Sequence, residues 1–281
     1  MDGQRLHVRI AGSGPPLLLL HGFLGSGESW APCLQSLTSE RTCVLMDLPG
    51  HGRSAPPPLP YPMSALIDDI EATLARLQLS EYAVLGYSLG GRIALCLALS
   101  RPDAVTELVC ESASPGIVDA AERRDRRAAD AEWASRIEEV GMQAFVAAWE
   151  QQPIFGSHEN LNAAARAEQR RIRASTTASG AQWALRELSQ GRQPALWAEL
   201  GKLRCPSLVM AGAADRKYRA LAERMGGMIP DAEVRVVSGA GHTIHLEQPR
   251  AFSRLVLEFL RRRASNNERR MDVSSGMAVN A

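Results

Sequence analysis

The chain has 281 residues, a formal net charge of +1 and a mean hydropathy of −0.15. That length fits one α/β domain of ordinary size with room for an insertion, and a charge so close to zero excludes a polyanion-binding surface on bulk charge alone. No basic-then-apolar leader opens the chain and no apolar run approaches the ~18 residues of a membrane span, so a cytoplasmic protein with neither membrane nor nucleic acid as partner is expected.

The positive charge is unusual in kind, because Lys202 and Lys217 are the only lysines. The cysteines, Cys33, Cys43, Cys96, Cys110 and Cys205, are odd in number and form no C-x-x-C pair. Scattered within apolar runs, they read as reduced, buried thiols.

In chain order, Leu6 to Ile10 alternates and reads as a first strand. Leu17 to Leu20 is fully apolar, as in a strand buried on both faces. It runs into the Gly-rich loop His21 to Gly27, and Trp30 to Leu37 reads as a helix. Thr42 to Met46 is the next buried strand, followed by a loop through Ser54 and a Pro-rich stretch to Pro62. Met63 to Leu77 has apolar residues at helical spacing. An apolar run from Tyr82 leads to Gly86-Tyr87-Ser88-Leu89-Gly90, and a helix is expected from Leu89 to Ser100. Val105 to Cys110 is a further strand. Strands alternating with helices over short loops predict a mostly parallel sheet with helices on both faces.

From residue 117 to residue 200 the pattern is helical, rich in Ala, Arg and Glu, with no clear strand. This reads as a helical cap inserted into a core made of residues 1–116 and 201–263. Afterwards the α/β rhythm resumes: a strand from Ser207, a helix from Arg216, a strand from Glu233 to Val237, and a last helix opened by Pro249. Residues 264–281 are polar and aperiodic and are expected to be a disordered tail.

The chemistry starts from Ser88. Gly-x-Ser-x-Gly between a strand and a helix is a tight turn that exposes the serine hydroxyl at the carboxyl end of a sheet. A serine hydroxyl needs an imidazole to take its proton, and the imidazole needs an orienting carboxylate. In this architecture the order is serine, acid, histidine. Asp215 follows a late strand and His242 follows the last one, in Ser238-Gly239-Ala240-Gly241-His242. His245 competes with His242, but the glycine-flanked loop position favours His242, leaving His245 to pack behind it. Asp231 competes with Asp215, but it lies at a helix-to-strand turn on the wrong side of the sheet. Oxyanion donors are expected from the backbone of Leu89, at the start of a helix, and of Phe23, in the loop after an early strand. His21 and His51 are read as loop-bracing residues.

These residues resemble the α/β-hydrolase family across roughly residues 5 to 263. A narrower resemblance is carried by Gly86-Tyr-Ser-Leu-Gly-Gly-Arg92, Glu111-Ser-Ala-Ser-Pro-Gly116, Glu122-Arg-Arg-Asp-Arg126 with Asp130, and Trp149-Glu-Gln-Gln-Pro-Ile-Phe155. The stretches His21 to Trp30 and Gly241 to Pro249 agree with it but occur more widely. Together they are similar to the 2-succinyl-6-hydroxy-2,4-cyclohexadiene-1-carboxylate synthases of menaquinone biosynthesis. That resemblance implies a carbon–oxygen lyase expelling pyruvate from a small tricarboxylate, without metal or organic cofactor, in which the triad serine acts as a base. It further implies substrate contacts from Arg92, Arg126, Arg173, Tyr87 and Trp149.

The residues themselves bear on these roles. Arg92 lies one helical turn beyond Ser88 and can face the same pocket; arginine gives permanently charged, bidentate carboxylate recognition. Arg126 lies four residues from both Glu122 and Asp130, which also fits a solvated, ion-paired helix face. Arg170 and Arg171 compete with Arg173, and Trp149 with Trp133 also fits simple cap packing. A carboxylester or carbon–carbon bond hydrolase using the same triad is the alternative reading. A non-catalytic scaffold is a third, disfavoured because a binding module has no need of all three triad groups. A monomer or small homo-oligomer is expected.

Overall fold

The computed structural model describes residues 6–262. The expected tail, 264–281, lies outside the described residues. Seven strands form one sheet: β1 (Val8–Ala11), β2 (Pro16–Leu20), β3 (Thr42–Met46), β4 (Tyr82–Tyr87), β5 (Val105–Glu111), β6 (Ser207–Gly212) and β7 (Ala232–Val237). Their spatial order is β1-β3-β2-β4-β5-β6-β7. Only β1 runs antiparallel, pairing Val8 with Met46 and Ala11 with Cys43. It begins two residues later than the alternation suggested, because Leu6 turns inward and is buried ahead of the edge strand.

The apolar runs are continuous because both faces of the sheet are covered. Successive residues of β2 go to opposite cores: Leu18 and Leu20 pack with Ile70, Ile93 and Met225, whereas Leu17 and Leu19 pack with Trp30, Phe252 and Phe259. The first layer is built by α2 (Met63–Arg76), α3 (Leu89–Ser100) and α7 (Arg216–Gly226), the second by α1 (Ala31–Thr38) and the last helix, 249–262, here α9. The one-turn helix α8 (Ile244–Glu247) precedes α9. All five cysteines are free and buried.

The cap leaves the core after Gly116. It comprises α4 (Ala120–Trp149), α5 (Ala163–Ala174) and α6 (Ala178–Glu187), with a 3-10 segment, Pro153–Asn160, between the first two. Asp119, Asn162 and Thr177 cap the three helices by accepting hydrogen bonds from first-turn amides. Helix α4 breaks at Gly141, whose φ of 73° and ψ of 167° are non-helical. The break gives the cap two arms, closed over a small core of Leu24, Ile137, Phe145, Val146 and Leu185. The chain returns where the Leu196 amide donates to Pro115 O (2.7 Å) and Trp197 Nε1 donates to Gly116 O (2.9 Å), pinning both stalks together. Trp197 and Leu200 pack in the main core. Among the described residues no helix is long and apolar enough to cross a membrane.

Register aligns the strand ends that matter. Leu20 lies beside Gly86, Glu111 beside Tyr87 and Met210, and Gly212 beside Val237. The loops after β2, β4, β6 and β7 therefore open on one edge of the sheet, where parallel α/β sheets place their sites. The tightest point is at α3: a Cβ on Gly90 would stand 2.0 Å from Leu20 O, and one on Gly86 would stand 2.2 Å from Gly90 O. Gly90→Ala is expected to cost at least about 1–3 kcal/mol, since the obstructing atoms are backbone. Chemical denaturation checks this; unchanged stability would mean that α3 is free to move away from β2.

Candidate active site

The β4–α3 turn holds Ser88 at φ 51°, ψ −105°, a conformation that L residues rarely adopt. Such strain costs on the order of 1–3 kcal/mol and persists only when the surroundings impose it. They do so here: the Ser88 amide donates to Glu111 O at 2.9 Å, and the Arg92 amide donates to Ser88 O at 3.0 Å. His242 Nε2 lies 3.2 Å from Ser88 Oγ, and His242 Nδ1 lies 2.7 Å from Asp215 Oδ2. Asp215 is also the N-cap of α7, its other oxygen accepting the Tyr218 amide at 3.1 Å. One carboxylate thus fixes the helix start and the histidine tautomer together, leaving Nε2 to take the serine proton. The close approach of Gly212 to Gly241, where a Cβ would stand 2.1 Å from Gly241 O, brings the Asp215 and His242 loops together.

The competing residues are engaged otherwise, although His245 also reaches the cavity wall. His245 is fully buried and its Nδ1 lies 2.7 Å from Glu111 Oε2. The Asp231 carbonyl accepts from the Ser207 amide, at the opposite end of the sheet. His21 donates through Nδ1 to Gly22 O and accepts the Leu48 amide at Nε2, so it braces two loops. His51 braces its own loop through Pro49 O, and burial pulls its pKa down to about 3. Phe23 and Leu89 both line the cavity over Ser88. As the first residue of α3, Leu89 has an amide with no partner within the helix.

Arg92, Arg126 and Arg173 all line that same cavity with Ser88 and His242. Among the described residues Arg92 is held by neutral acceptors: Nη1 donates to Gln193 Oε1 (2.9 Å) and Nη2 to Leu188 O (3.1 Å). Burial pulls its pKa down to about 10, so it remains charged at neutral pH. Arg126 lines the cavity and makes a two-pronged pair with Asp130 at 2.9 Å, but Asp130 is itself buried and lines the same cavity, so the pair faces the pocket and not a solvated helix surface. Arg173 is 4% exposed; its guanidinium lies 4.4 Å from the Phe155 ring centre and 3.2 Å from Glu150. Its rivals point outward, Arg170 to Glu150 and Arg171 to Glu168 and Glu28, and both are more than half exposed. Helix phase therefore selects Arg173.

Trp149 lines the cavity and meets Phe23 edge-on at 5.0 Å, whereas Trp133 packs behind it in the cap core. Tyr87 also lines the cavity, but its hydroxyl is engaged with Thr243 Oγ1 at 2.9 Å. Residues that sequence reasoning missed complete the wall: Gln152, Gln169, Gln190 and Tyr218, whose ring lies 4.6 Å from that of His242. Tyr218 could have been found from its place three residues after Asp215; the glutamines carry no such signal. The wall's formal charges are three guanidiniums against the one carboxylate of Asp130. Among the described residues no group of three or more His, Cys, Asp or Glu is arranged to hold a metal ion.

This arrangement can move a proton from Ser88 to His242 beside an anion held by arginines. Asp215→Asn is expected to slow phosphonylation of Ser88 by an organophosphate at least about a hundredfold, because the imidazole loses its oriented tautomer. An unchanged rate would disconnect Asp215 from the serine.

Residues 15–249 match the alpha/beta hydrolase fold family. A protein of Serratia proteamaculans named 2-succinyl-6-hydroxy-2,4-cyclohexadiene-1-carboxylate synthase is 36% identical over 251 residues, covering 88% of this chain and 93% of that one. The protein of the same name from Pectobacterium atrosepticum is 34% identical, over 90% and 97% of the two chains. The solved structure of MenH from S. aureus superposes with a TM-score of 0.87 at 29% identity, covering 94% of this chain and all of that one. This chain belongs to the α/β-hydrolase fold family, where it stands beside the 2-succinyl-6-hydroxy-2,4-cyclohexadiene-1-carboxylate synthases.

Proposed function

We propose that this chain is a carbon–oxygen lyase of menaquinone biosynthesis. It eliminates pyruvate from 2-succinyl-5-enolpyruvyl-6-hydroxy-3-cyclohexene-1-carboxylate to give 2-succinyl-6-hydroxy-2,4-cyclohexadiene-1-carboxylate. The names of its relatives support the reaction, and one observation in the site carries it: three arginines line the cavity over the Ser88–His242 pair, and the hydrogen bonds of the half-buried Arg92 among the described residues go to neutral acceptors. A guanidinium desolvated against neutral partners is poised for a carboxylate. The substrate brings three carboxylates, on the ring, on the succinyl chain and on the enolpyruvyl group.

The chemistry follows from the bonds. His242 takes the Ser88 proton, and the serine oxygen removes the ring proton next to the succinyl ketone. The electrons of that C–H bond form the first new ring double bond. The existing double bond shifts by one position, and the ring carbon–oxygen bond to enolpyruvate breaks. The leaving group departs as the enolate of pyruvate and is protonated on carbon at the expense of the proton that His242 holds, which returns Ser88 and His242 to their starting states. No water is consumed and no acyl-enzyme forms. Negative charge builds on the ketone oxygen, which the amides of Leu89 and Phe23 would meet in a site shielded from water. Asp215 keeps the imidazole oriented while it holds the proton. The reading includes a cytoplasmic location, supported by the buried free thiols.

Purified protein is expected to release one pyruvate per diene formed. Rapid aryl-ester turnover with no pyruvate would instead identify a hydrolase. Arg92→Ala is expected to lower kcat/KM by about a hundredfold or more, since a charge-assisted hydrogen bond in a desolvated site is lost. Thermal stability should suffer far less than activity, and a near-normal kcat/KM would remove the anion-holding role.

A further inference from the structure

We infer that Glu247 and Glu111 are positioning residues for His242, forming a clamp of two buried carboxylates that fixes the loop carrying the imidazole. The inference rests on the proposed site in one respect, that His242 is the base paired with Ser88.

His242 stands in the turn between β7 and α8, a helix of four residues that cannot set its own ends. The Gly241 amide donates to Glu247 Oε2 at 2.8 Å, and the Thr243 amide donates to Glu247 Oε1 at 2.9 Å. The amides of the residues immediately before and after His242 therefore end on one carboxylate, with both oxygens used. Glu111 grips the next stretch: its Oε1 accepts the His245 amide at 3.0 Å and its Oε2 meets His245 Nδ1 at 2.7 Å. The carbonyl of the same Glu111 accepts the Ser88 amide at 2.9 Å. One residue at the end of β5 thus braces both partners of the Ser88–His242 hydrogen bond.

Stability alone does not account for these carboxylates. The side chain of Glu247 is 4% exposed and that of Glu111 is 0% exposed. Buried charges carry a desolvation cost, and apolar replacements of buried ion pairs are frequently neutral or better. What a carboxylate supplies here and an apolar group cannot is two directed acceptors for two loop amides. The 3.2 Å reach from His242 to Ser88 leaves little tolerance, because displacement of a reacting group by about 1 Å can cost a hundredfold in rate.

The clamp also meets the cap. His158 Nε2 lies 3.1 Å from Thr243 Oγ1, which engages the Tyr87 hydroxyl, and 3.7 Å from Glu247 Oε1. Burial pulls the pKa of His158 down to about 3, so it acts as a neutral partner. A Cβ on Gly241 would stand 2.1 Å from Ser157 Oγ, so the cap rests directly on the histidine loop.

The test compares wild type with Glu247→Gln, which keeps one acceptor oxygen and turns an NH2 group toward the other amide. Two rates are measured: phosphonylation of Ser88 by an organophosphate, and pyruvate release from the tricarboxylate. Both are expected to fall about ten- to hundredfold while KM stays within about twofold. The downfield proton resonance of the His242–Asp215 hydrogen bond should broaden or disappear. Should Glu247→Gln fail to fold, Glu247→Asp, with the charge retained but one methylene shorter, carries the same expectation. Rates within about twofold of wild type, or a loss that appears in KM and not in kcat, would overturn the clamp. If the wild type phosphonylates but releases no pyruvate, the lyase reading fails, and the phosphonylation ratio still decides the clamp.

Discussion

The close packing of α3 against β2 and β4 is the constraint on which the rest depends. Gly90 meets the Leu20 carbonyl and Gly86 meets Gly90 at separations that admit no side chain. That contact leaves no room for an ordinary strand-to-helix turn, and Ser88 takes up the geometry in its own backbone. The result is a hydroxyl projected above the sheet, a helix N-terminus directly beneath it, and Arg92 one turn along the same helix. The geometry of all three is therefore tied to a single packing contact.

Around that point the protein concentrates charge where water is scarce. A buried guanidinium is expensive unless satisfied. Arg126 and Arg173 each share a carboxylate, Asp130 and Glu150, while Arg92 has a glutamine oxygen and a backbone carbonyl. That unequal treatment makes Arg92 the site's least neutralised cation. Beneath it, carboxylates act on geometry instead of substrate. Asp215 orients the imidazole ring, and Glu111 and Glu247 hold the backbone that carries it. The cap supplies Arg126, Trp149 and Arg173, and it also presses on the histidine loop through Ser157 and His158. Substrate recognition and the geometry of the base are thereby mechanically joined.

Much of the fold was legible because a doubly covered parallel sheet demands continuous apolar runs, and these stand out at residues 17–20, 42–46 and 82–85. The hydrogen-bonded chain Ser88–His242–Asp215 was legible because each member follows a strand, in a fixed order. Legibility failed where tertiary packing decides. Arg170, Arg171 and Arg173 are alike in sequence, and only the phase of α5 against the core turns Arg173 inward. Trp133 and Trp149 differ only in which side of the cap core they occupy. Glu111 closes an apolar strand and Glu247 closes the one-turn helix α8. Nothing local reveals that both are buried against backbone amides contributed from elsewhere in the chain. Arg126 carried two readings, and its ion pair with the buried Asp130 proves to be part of the cavity wall and not of a solvated helix face.

The central claim is that Ser88 serves as a base toward a polyanion and not as a nucleophile. Intact-mass spectrometry of the protein during steady turnover of the tricarboxylate tests it most directly. A basic serine predicts accumulating pyruvate with the protein mass unchanged throughout. A substrate-derived adduct on Ser88 that forms and decays at the turnover rate would contradict it.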